Sequence, residues 1–131
     1  MTTTAAAAGT RRHTETYPAE PRQVGLARAA LAAWLGGCSR ADEAILAASE
    51  FATNAVLHSS SRHGGAFTLR AEVHGDRLRI EVEDAGGPWH NGPNDDGRPH
   101  GLDVVTALAG AGNWGIDGDA GGRVAWARLG W

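Results

Sequence analysis

The sequence predicts an α+β fold, a two-layer sandwich with helices on one face of a mostly antiparallel sheet. Three observations carry this. The chain reads as strand, two helices, hairpin, loop, helix, hairpin, an order that segregates helices to one side of paired strands. Apolar residues alternate with a period of two through residues 67–82, interrupted by one turn. Between Ile45 and Val56 the apolar residues instead gather on one arc of a helix.

The elements follow in order. Residues 1–10, rich in Thr and Ala, read as a disordered leader, and residues 11–131 as a single domain with no internal repeat. Residues 11–17 suit a short edge strand before Pro18. Pro21 to Leu35 reads as a helix, with Pro21 in its first turn. Val24, Leu26, Ala27, Ala30, Leu31 and Trp34 form its apolar set, and Gly36-Gly37 stops it. Ser39 is expected to cap a second helix from about Arg40 to His58, with Asp42 and Glu43 in the first turn. Ser59 to Gly65 is a polar turn.

Phe67, Leu69, Ala71 and Val73 then alternate, His74-Gly75-Asp76-Arg77 makes a hairpin turn, and Leu78, Ile80 and Val82 alternate in the returning strand. Residues 85–100 are too long and too rich in Gly, Pro and Asn for an ordinary connection, which suggests a lid or binding loop. Gly101 to Leu108 reads as a short helix. Two strands near Asn113–Asp117 and Arg123–Leu129 close the chain, with Trp34, Trp114 and Trp126 expected in the core.

Composition narrows the function. The chain of 131 residues is 42% hydrophobic and 21% charged, which suits one globular domain with a real core. A net charge of −3 offers no electrostatic footprint for nucleic acid or an anionic membrane. No apolar run is long enough to span a bilayer, and no basic segment precedes an apolar stretch at the start. Cys38 is the single cysteine, which excludes an internal disulfide and suits the cytoplasm. All 12 basic residues are arginine. Without lysine, a Walker-type P-loop, a Schiff-base enzyme and a Ser-Lys nucleophile are excluded. The histidines show no HxxxH spacing and Cys38 has no partner, so no zinc motif is present.

Residues 49–58, Ser-Glu-Phe-Ala-Thr-Asn-Ala-Val-Leu-His, carry the chemistry. Glu50 and Asn54 lie one helical turn apart, separated by roughly 40° around the axis. Ile45, Ala48, Phe51, Ala52, Ala55 and Val56 fill the opposite arc. A carboxylate there can take a proton or orient water, and an amide oxygen can bind a hard cation such as Mg²⁺. Pairs at this spacing also occur as solvated helix decoration. Asp84 falls in phase with Leu78, Ile80 and Val82, so it points toward the buried face of its strand. A carboxylate there is costly unless something hydrogen-bonds it.

Taken in order, Glu50 with Asn54, Asp84-Ala85-Gly86-Gly87, and the loop running into Gly101-Leu102 resemble the ATP-binding domain of the GHKL superfamily of histidine kinases, gyrase B and MutL, whose fold is of Bergerat type. The likeness is greatest to small bacterial anti-sigma-factor serine/threonine kinases, which carry a string similar to residues 49–58. The resemblance implies that Asn54 holds Mg²⁺ on the ATP phosphates and that Glu50 is the general base. It implies that Asp84 accepts the adenine amino group, that Gly86 lets the backbone pass the base, and that residues 88–100 are the ATP lid. Gly101 and Leu102 would direct backbone N–H groups at the phosphates. The implied function is a cytoplasmic ATP-dependent kinase that phosphorylates a Ser or Thr of an anti-sigma-factor antagonist and so controls a sigma factor. Relatives are often homodimers, and an edge strand at 11–17 suits sheet pairing.

The chain departs from the family pattern at three places. Pro88 replaces the second Gly of the first box, Gly97 stands two residues upstream of its usual place, and Val124 occupies a position where relatives carry a Thr near the adenine. An alternative reading is therefore a module of the same fold that binds ATP and sequesters a partner with weak or no catalysis.

Overall fold

The computed structural model describes residues 9–58, 64–86, 100–110, 112–119 and 121–130. Its elements are β1 (Thr10–Pro18), α1 (Pro21–Leu35), α2 (Ala41–His58), β2 (Ala66–His74), β3 (Arg77–Asp84), α3 (His100–Ala109), β4 (Trp114–Asp119) and β5 (Gly122–Leu129). The strands form one five-stranded sheet in the order β1-β2-β3-β5-β4, antiparallel at every described pairing. The helices pack on one face, giving the expected Bergerat-like α+β sandwich. Most of the buried apolar side chains lie between the two layers.

Local sequence explains the elements. Pro21 opens α1, where a missing N–H costs nothing, and Gly36 ends it with φ 57° and its N–H donated to the Ala32 carbonyl. Ala27, Leu31 and Leu35 form its buried seam. Leu26 belongs to the expected apolar set, yet it is 56% exposed. It lies about 100° around the helix from Ala27, and a seam of residues four apart leaves it outside.

α2 is the central helix, packed against α1, α3 and the sheet. Its start differs from the expected Ser39 cap. A turn closes from the Ala41 N–H to the Cys38 carbonyl, and the Arg40 carbonyl accepts the first helical bond from Ala44. Arg40 is therefore the N-cap residue, and with φ 67° it is the one non-glycine residue of positive φ among those described.

The β2–β3 hairpin turns on Gly75-Asp76, with Gly75 at φ 65° as a type II′ turn requires at its first central position. Phe67, Leu69 and Ala71 on β2, Leu78, Ile80 and Val82 on β3, and Ala125, Ala127 and Leu129 on β5 are buried beneath the helices. The opposite face of the sheet is polar. Arg70 stands across from Glu81, and Glu72 across from Arg79. Ion pairs join Arg12 to Glu72 at 2.8 Å, Arg70 to Glu83 at 2.6 Å and Arg79 to Glu81 at 3.1 Å.

Trp126 belongs to that polar face, contrary to the expectation that it fills the core. The period of two in β5 sends Arg123, Ala125, Ala127 and Leu129 inward and Trp126 outward. The guanidinium groups of Arg79 and Arg128 lie over its ring, 4.9 and 5.6 Å from the centroid, and its N–H donates to Asp117. Gly115, directly across the ladder, makes room for the indole, since a Cβ there would come within 2.9 Å of the ring. Trp114 and Trp34 are half-buried against the core.

Candidate functional site

The sheet carries Asp84 to the end of β3, and the side chain points inward as its phase requires. Only 7% of that side chain is exposed. Gly86, two residues on, has φ 76° and donates its N–H to Asp84 Oδ1 at 2.6 Å. A residue with a Cβ would be strained in that conformation, so glycine is what lets the backbone fold back on the carboxylate.

Arg123 is directly opposite Asp84 in the β3–β5 ladder. Its side chain is also 7% exposed, and Nη2 stands 3.6 Å from Asp84 Oδ2. Burial raises the Asp84 pKa above the ordinary carboxylate value. The Gly86 N–H and the Arg123 guanidinium oppose that rise without cancelling it. The carboxylate thus has one oxygen held by backbone and the other facing a buried cation.

Arg123 is the neighbour of Asp84 that reading the sequence missed. The sequence pointed to Val124 as the neighbour of the base. Val124 instead pairs with Glu83 and shares the polar face of the sheet, while Arg123 shares the inner face with Asp84. A signal existed, because Arg123 is in phase with Ala125, Ala127 and Leu129. The apolar pair Val124-Ala125 hid it, since either residue could begin the buried set.

α2 supplies the second part. Asn54 is only 8% exposed, so it lies within the buried arc of α2 rather than beside it. The arc is wider than the sequence suggested because α2 has neighbours on three sides. The Asn54 side-chain nitrogen is buried and has no hydrogen-bond partner among the described residues. Glu50, one turn earlier, is half-buried. α2 packs across β3, the strand that carries Asp84. Neither Glu50 nor Asn54 hydrogen-bonds to Asp84, so the structure places the two groups in facing layers without joining them.

α3 supplies the third part. Gly101 and Leu102 fall in its first turn, where backbone N–H groups have no partner within the helix and favour an anion. α3 packs against α2, β4 and β5. Most of the expected lid, with Pro88, Trp89, His90 and Gly97, lies outside the described residues.

These groups together can meet an anion and a hydrogen-bond donor. The unpartnered Asn54 N–H can donate to an anionic oxygen, and an amide oxygen is a ligand type that suits a hard cation. A helix start can take phosphate. A buried carboxylate can accept from an amino group.

Comparison with known proteins agrees with the fold. The family described as "Histidine kinase-like ATPase domain" matches residues 17–121. That span includes Glu50, Asn54, Asp84, Gly86, Gly101 and Leu102, and it ends before Arg123. Among solved structures, the chain is similar to the crystal structure of the RsbU and RsbW domains of Rv1364c from Mycobacterium tuberculosis, at 26% identity and a TM-score of 0.70. The likeness covers 91% of this chain and 32% of that one, so the chain spans about a third of its relative's length. No curated protein matches the chain. No helix among the described residues is long and apolar enough to cross a membrane.

Proposed function

The chain belongs to the histidine kinase-like ATPase domain family, and on that premise we propose that it is an ATP-binding regulatory kinase acting on a Ser or Thr of a partner protein. The observation that carries this reading is Asn54, a buried amide on the central helix whose nitrogen has no partner among the described residues. Leaving that buried N–H unsatisfied costs about 1–3 kcal/mol, which an acceptor on a ligand, such as a phosphate oxygen, can recover.

Each residue then has a role. Asn54 would hold Mg²⁺, which when bound neutralises phosphate charge. Asp84 accepts the base amino group, and Gly86 fixes the carboxylate that does so. Gly101 and Leu102 direct N–H groups to the phosphates. Glu50 removes the proton from the attacking hydroxyl, whose oxygen bonds to the γ-phosphorus as ADP leaves. The RsbW domain in the similar structure supports a partner of the anti-sigma-factor antagonist type, with a sigma factor under its control. The outer edge of β1, which no strand among the described residues pairs, suits homodimer formation, and the single free cysteine suits the cytoplasm.

Radiolabelled MgATP with the cognate antagonist tests the reading. Labelled partner should form with the wild type and vanish in Glu50→Gln, while that variant still binds MgATP. Absence of MgATP binding by the wild type at millimolar concentration would falsify it.

A second reading has its own support. Both oxygens of Asp84 already face donors, Gly86 and Arg123, which suits a module that captures its partner with little turnover. Partner capture that is independent of ATP and unchanged in Glu50→Gln would favour it.

A further inference from the structure

Granting that nucleotide site, we propose that Arg123 is a specificity-determining residue for the base, its guanidinium donating to the purine ring nitrogen beside the amino group that Asp84 accepts.

The geometry on β3 and β5 points to this. Arg123 is 6% exposed, and its side chain is as deeply buried as that of Asp84. It shares the inner face with Asp84 and lies directly across the ladder from it. Gly86 occupies Asp84 Oδ1, so Oδ2 is the oxygen that remains to accept from a ligand, and Oδ2 is the one that faces Arg123 Nη2 at 3.6 Å. The sheet therefore presents an acceptor and a donor side by side at one point.

The chemistry of the two groups selects what can sit there. A carboxylate only accepts and a guanidinium only donates. An aminopurine edge complements that pair, because its exocyclic amino group donates and is flanked on each side by a ring nitrogen that accepts, N1 and N7. A carboxylate alone would read the amino group and be blind to the ring nitrogen. Arg123 adds that second contact. An arginine also keeps its charge throughout the physiological range, so the donor does not titrate away.

Ligand analogues test the contact directly. Dissociation constants for MgATP, 1-deaza-MgATP and 7-deaza-MgATP are measured by calorimetry on the wild type and on Arg123→Met. The wild type should bind ATP about tenfold more tightly than one of the two analogues, the size expected for a hydrogen bond to a charged donor. The analogue that loses affinity identifies the ring nitrogen. In Arg123→Met, ATP should bind about tenfold more weakly, and the preference over that analogue should disappear.

Equal ratios of ATP to both analogues in wild type and variant overturn the proposal while leaving the nucleotide site in place. Tighter ATP binding by Arg123→Met also overturns it, since Arg123 would then be a competitor for Asp84. A wild type that binds none of the three nucleotides overturns the site and the proposal together. Arg123→Lys covers the case in which Arg123→Met does not fold, because it keeps a cation beside Asp84. Its ATP-to-analogue ratio should fall below that of the wild type, and an unchanged ratio overturns the proposal.

Discussion

Arg40 at the start of α2 donates from Nη2 to the carbonyl of Leu108 in the last turn of α3, at 2.8 Å. The same guanidinium donates from Nε to Glu43 at 2.8 Å. A cation thus meets the end of a helix where carbonyls lack partners and the dipole is negative. The left-handed backbone at Arg40 costs roughly 1 kcal/mol or more, and these contacts offset it. Arg40→Ala keeps the strain and loses both bonds, so it should destabilise the fold by about 1–2 kcal/mol. Arg40→Gly loses the same bonds but relieves the strain, and should be the more stable of the two by about 1 kcal/mol. Urea unfolding of the pair checks the order.

Asn54→Leu separates stability from binding. The substitution replaces a buried, incompletely paired amide with an apolar side chain of similar size. Without nucleotide it should unfold at higher urea concentration than the wild type, by about 1 kcal/mol. With millimolar MgATP the wild type should gain thermal stability and the variant should not. A variant that is stabilised by MgATP as much as the wild type would remove Asn54 from the site.

Asp84 makes stability depend on pH in a definite direction. Burial raises its folded pKa above the ordinary 3.8. Between those two values the folded chain holds more protons than the unfolded chain. Stability contributed by this group therefore falls as pH rises through that window. Asp84→Asn removes the contribution. The stability of the wild type minus that of Asp84→Asn should decrease as pH rises from 3.8 to the raised value, read from urea unfolding at a series of acid pH values.

Gly115→Ala tests the seat of Trp126. The added Cβ would meet Cζ2 of the indole at 2.9 Å. The ring contacts Arg79, Arg128 and Asp117, and a shift away from Gly115 disturbs those contacts. The expected loss is about 1–3 kcal/mol, typical of overpacking. Combining it with Trp126→Leu should recover most of that loss, which a double-mutant cycle measures.

The periodic parts of this fold were legible in the sequence. The helix from Pro21 to Leu35 has the bounds its punctuation predicted, because Pro21 and Gly36 act on the backbone locally. Asp84 was placed on the inner face by counting in twos. What escaped depended on neighbours distant in the chain. Trp126 is apolar, and only the phase of β5 sends it outward. Leu26 is apolar, and only the narrowness of the α1 seam leaves it exposed. Ser39 looked like a cap, but the turn closes one residue later, where Arg40 can reach α3. Arg123 escaped because its meaning comes from Asp84, 39 positions earlier in the numbering and directly opposite in the ladder.

The polar face of the sheet also resolves an ambiguity that the buried face cannot. A slip of one residue between β2 and β3 would turn the apolar side chains to solvent, so burial forbids it. A slip of two residues would keep every apolar side chain inside. In one direction that slip sets Arg70 against Arg79, and in the other it sets Glu72 against Glu81, following from the native pairs Arg70–Glu81 and Glu72–Arg79. Like charges directly opposite are destabilising. The arginines and glutamates therefore act as a checksum on strand alignment, and that alignment holds β3, and Asp84 at its end, to one position.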